Sequence, residues 1–373
     1  MRRIFIVNDR VSGGGAEVVM KNLVSHLQEN YKITIMTMDN DFDTFKKIFP
    51  NDVEYKAAKI IYNPYHKLNP LRYLIKAYNL IRKVLICSRK YDIVIANKEG
   101  PCMKLVSKMR ASKKLAWVHA DYQYLYWTRS TFSAQNEVKC MKKFDSVICV
   151  TKAVTESIKK VIGDPGNLCV RYNPIDYHDI IKKAEAASEI KRDYSKPLFV
   201  AVGRIVKEKN YTTLAKVCTR LCKEFEFELW IVGDGNQRND IEQILSEQGC
   251  SCVKILGMQS NPYKYLLKAD FLVSTSLCES YGLVIQEALV LGVPVISTKC
   301  PAIEECFDTR FGMLVDCDEA DIEKGMRYIL EKPECISKYK QVIKNEYNVT
   351  SLWDERLNEI TRLIEQKNRR RML

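Results

Sequence analysis

Residues 269–298, ADFLVSTSLCESYGLVIQEALVLGVPVIST, constrain the fold of this chain more than any other stretch. An apolar run at 271–273 suits a strand buried on both faces. A small polar loop follows at 274–280. Next comes a helical pattern, with Val284, Ile285, Ala288 and Leu289 apolar at spacings of three and four. Gly292 and Pro294 end that helix, and 293–296 opens another strand. A strand, a loop and a helix in that order bring backbone N–H groups to the loop, where the positive helix end can hold an anion. Glu279 lies in the loop and Glu287 eight positions on, inside the helix, so both can face one ligand. A plain βαβ unit with a capping glutamate satisfies the same pattern.

The rest of the chain is large enough to repeat that unit. Its 373 residues allow two α/β domains with cores of their own. A composition 46% hydrophobic and 28% charged excludes a disordered chain. Residues 4–7 are too short an apolar run for a signal sequence, and no run approaches the ~20 residues that cross a bilayer. Fourteen cysteines lack any C-x-x-C spacing, and those in apolar runs, such as Cys87, Cys149 and Cys169, read as buried reduced thiols of a cytosolic protein. His26, His66, His119 and His178 all lie in the first half, which argues against zinc. The net charge of +13 is unevenly spread. Residues 1–175 carry 30 Lys and Arg against 15 Asp and Glu, whereas the remainder carries 29 against 31. The first half is therefore expected to meet an anionic partner, whether a membrane surface, nucleic acid or a phosphorylated acceptor.

Along the chain, a strand at 4–7 runs through Asn8 and Asp9 into Gly13, Gly14 and Gly15, and 16–28 is an amphipathic helix carrying Val19, Leu23 and Leu27. This layout brings backbone close to a phosphate, though it lacks the full G-x-G-x-x-G of a dinucleotide site. Asp39, Asp41 and Asp43 lack the glycine and final carboxylate of a calcium loop and read as a solvated turn. Residues 69–87 form a basic helix with Leu71, Leu74, Ile75, Tyr78, Ile81 and Leu85 apolar. Packing against the sheet is the plainer expectation, and a membrane surface is the alternative. Strands follow at 93–96 and 115–118, the second ending at His119, with Tyr122, Tyr124, Tyr126 and Trp127 beyond it. Those aromatics either stack on an acceptor or fill a loop core. Ser146–Val150 is a strand, Thr151 an N-cap, and 154–162 a helix. Residues 176–196 read as a polar connector. Strands then recur at 198–202, 230–232 and 253–256, and 350–366 closes the chain as a helix before a basic tail containing Lys367, Arg369, Arg370 and Arg371.

Several of these segments together resemble one family. The run Glu279-Ser-Tyr-Gly-Leu-Val-Ile-Gln-Glu287-Ala288 is similar to the E-x7-E signature of retaining glycosyltransferases of family 4, which have the GT-B fold. Gly203-Arg204 with Lys209-Asn210 resembles that family's diphosphate clamp. Ile231-Val-Gly233-Asp-Gly235 resembles its strand-end glycine motif, Gly13 to Glu17 its N-terminal glycine loop, and Asn173-Pro-Ile175 its interdomain linker. These motifs stand in the family's order across nearly the whole chain. The resemblance implies two Rossmann-like domains facing each other across a cleft, with boundaries at 1–175 and 176–350 and a final helix, 351–373, crossing back. It implies Arg204 and Lys209 on the leaving diphosphate, Glu279 on the transferred sugar, Glu287 on the ribose hydroxyls, and backbone N–H groups near Tyr281, Gly282 and Leu283 on the diphosphate. His119 would touch the donor sugar. Gly14, Gly15, Gly203, Gly233 and Met258 complete the expected donor set.

The expected activity is retaining transfer of a sugar, from a UDP-sugar rather than a GDP-sugar, to a glycan or a polyprenyl-diphosphate-linked glycan. No metal and no cofactor are required. A cytoplasmic protein, or one peripheral on the inner face of the plasma membrane, follows, with an anionic membrane surface as partner and no nucleic acid. An epimerase or phosphorylase of the same fold and a non-catalytic partner subunit are the alternatives. Where the family commonly has a glycine pair before Pro-Glu, this chain has Lys299-Cys-Pro-Ala-Ile-Glu304, so the resemblance leaves the sugar open.

Overall fold

The structure, a computed structural model, describes residues 1–9, 14–38, 49, 53–59, 72–186 and 190–366, and of 72–74 and 76 the backbone only. Gly13, Asp39, Asp41, Asp43, Leu71, the side chains of Arg72, Leu74 and Lys76, and the basic tail all lie outside the described residues. The chain divides into two units, Met1–Pro174 with Asp354–Leu373, and Ile175–Trp353.

The first unit is built on a parallel sheet of β1 (Arg3–Asn8), β2 (Lys32–Thr37), β3 (Glu54–Ala57), β4 (Lys90–Ala96), β5 (Arg110–Val118), β6 (Ser146–Cys149) and β7 (Leu168–Val170). Their order is β3-β2-β1-β4-β5-β6-β7. Runs such as Ile4-Phe-Ile-Val7 are buried on both faces, because crossover helices cover each side of a parallel sheet. The helix Gly15–Leu27 packs Val19, Met20, Leu23, Val24 and Leu27 into that core. Thr151 caps the helix Lys152–Ile162 by accepting from the Val154 N–H at 3.1 Å, as its residue type predicts. Chain order reverses direction between β1 and β4, which places a crevice at their C-terminal ends.

The second unit repeats this plan with β8 (Leu198–Val202), β9 (Glu228–Val232), β10 (Val253–Gly257), β11 (Phe271–Ser274), β12 (Val295–Thr298) and β13 (Gly312–Val315). Their order is β10-β9-β8-β11-β12-β13, all parallel, with the reversal between β8 and β11. Residues 269–298 thus form β11, the helix Leu283–Val290 and β12, at the centre of this sheet. The helix Val349–Glu365 begins among residues of the second unit and ends in the first. There its last turn is held by the Lys113 ammonium, which donates to the carbonyls of Leu363 and Gln366.

Two expectations are corrected. Residues 177–185, read as connector, form a helix that Asp176 caps and that packs against the helix Tyr263–Leu266. Only Ile180 and Ala184 of it are buried, so its apolar stripe is too narrow to stand out among the charges. Among its described side chains, the basic helix, Arg72–Ser88, does not lay its apolar face on the sheet. Ile86 is buried, but Tyr78, Leu80, Ile81, Val84 and Leu85 are exposed, the last four by more than half. Periodicity shows that a helix has an apolar face and leaves open what covers it. Among the described residues no helix is long and apolar enough to cross a membrane. All fourteen cysteines are free thiols; Cys149 is buried, whereas Cys87 and Cys169 are only half-buried.

Candidate active site

In the second unit the β8 and β11 strand ends deliver most of the expected donor residues. Backbone bonds fix the ends themselves: the Gly203 N–H donates to Val232 O at 3.0 Å, and the Ile205 N–H to Asp234 O at 2.9 Å. The crossing is so close that a Cβ on Gly233 would stand 1.9 Å from Gly203 O. Gly233 and Gly203 therefore serve backbone packing whatever else they touch. Arg204 projects from this crossing, exposed and without an ion-pair partner among the described residues.

A cavity lined by Lys209, Tyr211, Ser274, Ser276, Glu279 and Gly282, with apolar walls from Val202, Val273, Val284 and Ile285, sits between β8 and β11. Across it the Lys209 ammonium pairs with the Glu279 carboxylate, which also accepts from Ser276 Oγ at 2.8 Å. Thr275 Oγ1 donates to Lys209 O at 2.9 Å, and the Leu277 N–H donates to Glu208 O at 2.9 Å, so the two loops are laced together. The helix Leu283–Val290 starts at Gly282, whose left-handed φ of 74° turns the chain, and no side chain caps it. This helix start borders the cavity through Gly282, Val284 and Ile285, and a helix N-terminus favours an anion.

Glu279 and Glu287 do not share one wall. Glu287 lies inward on the helix, 8% exposed, accepting from Tyr263 Oη at 3.2 Å. Burial raises its pKa to about 7, against the opposing pull of the Tyr263 hydrogen bond and the Lys183 charge. Tyr263 in turn is pushed far up by burial and by the Glu287 charge. Tyr281 is buried, and Met258, 71% exposed, stands just past β10. Tyr263 and Ser276 were missed in the sequence; Ser276 carries a signal, three residues ahead of Glu279 in one loop, while Tyr263 carries none.

The first unit forms its own polar cluster at the C-terminal ends of β1, β4 and β5. Gly14 precedes the helix Gly15–Leu27, and its N–H donates to Glu17 Oε2 at 2.8 Å. Glu17 is buried and pairs with Lys98, which also reaches Asp9 at 3.5 Å. Burial alone would lower the Lys98 pKa, but Glu17 and Asp9 overcome it and raise it. Asn97 Nδ2 donates to Asn8 Oδ1 at 3.2 Å, and Asn97 O accepts from His119 Nε2 at 3.0 Å. Since a carbonyl only accepts, the His119 proton is on Nε2 and Nδ1 remains an acceptor. Burial, with the Lys98 charge behind it, lowers the His119 pKa to about 4, so the ring is neutral at neutral pH. Glu99 holds the His119 N–H at 3.0 Å and Trp127 Nε1 at 2.8 Å. Lys98 and Glu99 were missed because they lie far in sequence from the groups they meet, Glu17 and His119; Glu17 closes the glycine-loop motif but carried no role there. The aromatic run divides: Tyr122 is buried and bonds Glu137 at 2.7 Å, Trp127 is held by Glu99, and Tyr124 with Leu125 is exposed.

Two doubly wound parallel sheets, one carrying an uncapped helix end, an exposed arginine, a lysine–carboxylate pair and a buried carboxylate at its reversal point, have the arrangement that suits an anionic, hydroxyl-rich ligand. Residues 13–179 match the family described as Glycosyltransferase Family 4, and residues 182–349 the family described as Glycosyl transferases group 1. The chain belongs to the GT-B glycosyltransferases of family 4. It is 25% identical over 355 residues, 92% of this chain and 94% of the other, to N-acetylgalactosamine-N,N'-diacetylbacillosaminyl-diphospho-undecaprenol 4-alpha-N-acetylgalactosaminyltransferase of Campylobacter jejuni. It is 26% identical over 310 residues, 80% of each chain, to lipopolysaccharide 1,6-galactosyltransferase of Salmonella typhimurium. Among solved structures it resembles Anabaena HepE in complex with UDP and glucose, with a TM-score of 0.72 at 16% identity, covering 97% of this chain and all of that one.

Proposed function

We propose that this glycosyltransferase moves a sugar from a UDP-sugar to a glycan or polyprenyl-diphosphate-linked glycan in surface polysaccharide synthesis, with retention at the anomeric carbon and without a metal ion. The observation that carries the proposal is the grouping at the β8 and β11 ends: exposed Arg204, Lys209 against Glu279, and the open helix end at Gly282. Transfer makes the anomeric carbon cationic and gathers negative charge on the departing diphosphate. Arg204 offers a planar fork to two phosphate oxygens, Lys209 a point charge, and the helix N–H groups fixed dipoles, so the leaving group is stabilised by groups already in place. Glu279, held by Lys209 and Ser276, faces the transferred sugar, and Glu287 takes the ribose hydroxyls. Neutral His119 supplies a hydrogen-bond acceptor to a sugar hydroxyl. The Campylobacter and Salmonella relatives act on a diphospho-undecaprenol glycan and a lipopolysaccharide, which supports the acceptor class.

The acceptor class also requires the enzyme to work at a membrane surface. The exposed apolar residues of the helix Arg72–Ser88, beside the basic Lys83, Arg89 and Lys90, support that reading. One experiment tests the core of the proposal. A thermal-shift screen of nucleotide sugars selects the donor, since a ligand at 100 times its dissociation constant adds ~2.7 kcal/mol. Proton NMR then reads the product. An α-linked product formed in EDTA is expected. A β-linked product, activity restored only by Mg²⁺ or Mn²⁺, or conversion of the donor without any acceptor would each defeat it.

A further inference from the structure

A second chemically distinct cluster lies at the opposite edge of the same sheet, where strands begin rather than end. Cys222 follows the helix Tyr211–Leu221 as its C-terminal cap, and Cys250 and Cys252 immediately precede β10. The Cys222 and Cys250 sulfurs are 3.7 Å apart, and those of Cys250 and Cys252 3.5 Å apart. All three lie within 4.8 Å of one another. Three thiols meeting from two separate segments are unusual, because a sulfur gains little from a neighbouring S–H compared with an apolar partner.

We propose that Cys222, Cys250 and Cys252 form a three-thiolate site for a soft d¹⁰ cation, with Zn²⁺ as the physiological occupant and a water completing the tetrahedron. The spacing fits: thiolates ~2.3 Å from one zinc in a tetrahedron stand roughly 3.8 Å from each other. The access fits as well, since all three residues are half-buried and within reach of solvent. Binding of the cation releases the thiol protons. The site joins the end of one helix to the start of β10. It is remote from Lys209 and Glu279, so it acts on the stability of the second unit and not on the transfer chemistry.

The test uses the full chain, reduced and stripped of metal, with Zn²⁺ alone titrated against a chromophoric chelator. One equivalent should bind. Cys222→Ser, Cys250→Ser and Cys252→Ser should each weaken binding by more than about 100-fold, beyond the loss from removing a ligand's own hydrogen-bond partner. Cys317→Ser, at an exposed thiol, should change nothing. Cd²⁺ in place of Zn²⁺ should give a thiolate charge-transfer absorption that falls in each of the three variants. Should a variant misfold, alkylation of the wild-type chain read by mass spectrometry decides: Zn²⁺ must shield these three thiols and leave Cys317 reactive. No uptake of Zn²⁺, shielding of other cysteines, or a disulfide among the three with no metal bound overturns the proposal.

Discussion

Replacing Glu287 by glutamine separates burial from ligand binding in one residue. The carboxyl is 8% exposed, and burial moves it from 4.5 to about 7. Between those values the folded chain keeps a proton that the unfolded chain has released, so this group makes stability fall as pH rises through the window. Above pH 7 the folded chain carries an ionised buried carboxylate, at a cost of about 3 kcal/mol. Glu287→Gln removes that cost and can still accept from Tyr263 Oη. At pH 8 the second unit of the variant should be more stable by up to about 3 kcal/mol, and near pH 5 the two proteins should match. For a unit of this size each kcal/mol is about 2–4 °C in Tm, so the gain at pH 8 should be several degrees. Donor binding should move the other way. Losing a charge-assisted bond of about 1.5–3 kcal/mol weakens UDP by roughly 10–100-fold at pH 8. Thermal melts with and without UDP at the two pH values read both effects. A stability change that is the same at pH 5 and pH 8 would refute the burial argument, and unchanged UDP affinity would remove Glu287 from the donor site.

Arg204→Ala should leave the melting temperature unchanged, since the side chain is exposed, yet lower turnover on the order of 10²-fold by loss of one leaving-group donor; near wild-type activity would take Arg204 out of the site. Gly233→Ala should destabilise the second unit by about 1–3 kcal/mol, because its Cβ would meet Gly203 O at 1.9 Å and force the strand ends apart; an unshifted melt would mean that the crossing yields easily. Vesicle flotation should show binding to anionic lipid, little to neutral lipid, and release by salt, each basic side chain near the surface contributing about 1 kcal/mol. Ile81→Asp with Val84→Asp should abolish that binding while leaving the melt intact, as both are exposed; equal binding of the double variant would clear the helix of a membrane role.

Much of the architecture could be read from the residues, for a local reason. A strand buried on both faces must be continuously aliphatic, a helix end needs its glycine, and a βαβ unit needs both in order. That logic located β1, β8, β11 and the helix Leu283–Val290. The ordered motifs named Arg204, Lys209, Glu279 and Glu287, of which Lys209 and Glu279 line one cavity. It misread residues 177–185, whose two buried positions are too few to make a stripe.

What the tertiary structure alone decided is which distant groups meet and what environment they share. Lys209 and Glu279, 70 positions apart, pair because β8 and β11 are neighbours at the reversal point. Glu287 has its raised pKa because the helix turns it inward onto Tyr263, whereas Glu279, on the same stretch, stays at the solvent edge with a lysine. Ile81 and Leu85 have the spacing of core residues and are exposed, and Cys222 meets Cys250 across 28 positions without any metal-binding spacing. Periodicity and motif spacing report on one segment at a time. Electrostatic environment and chemical partnership depend on which segments pack together, and that is settled only when the sheets close.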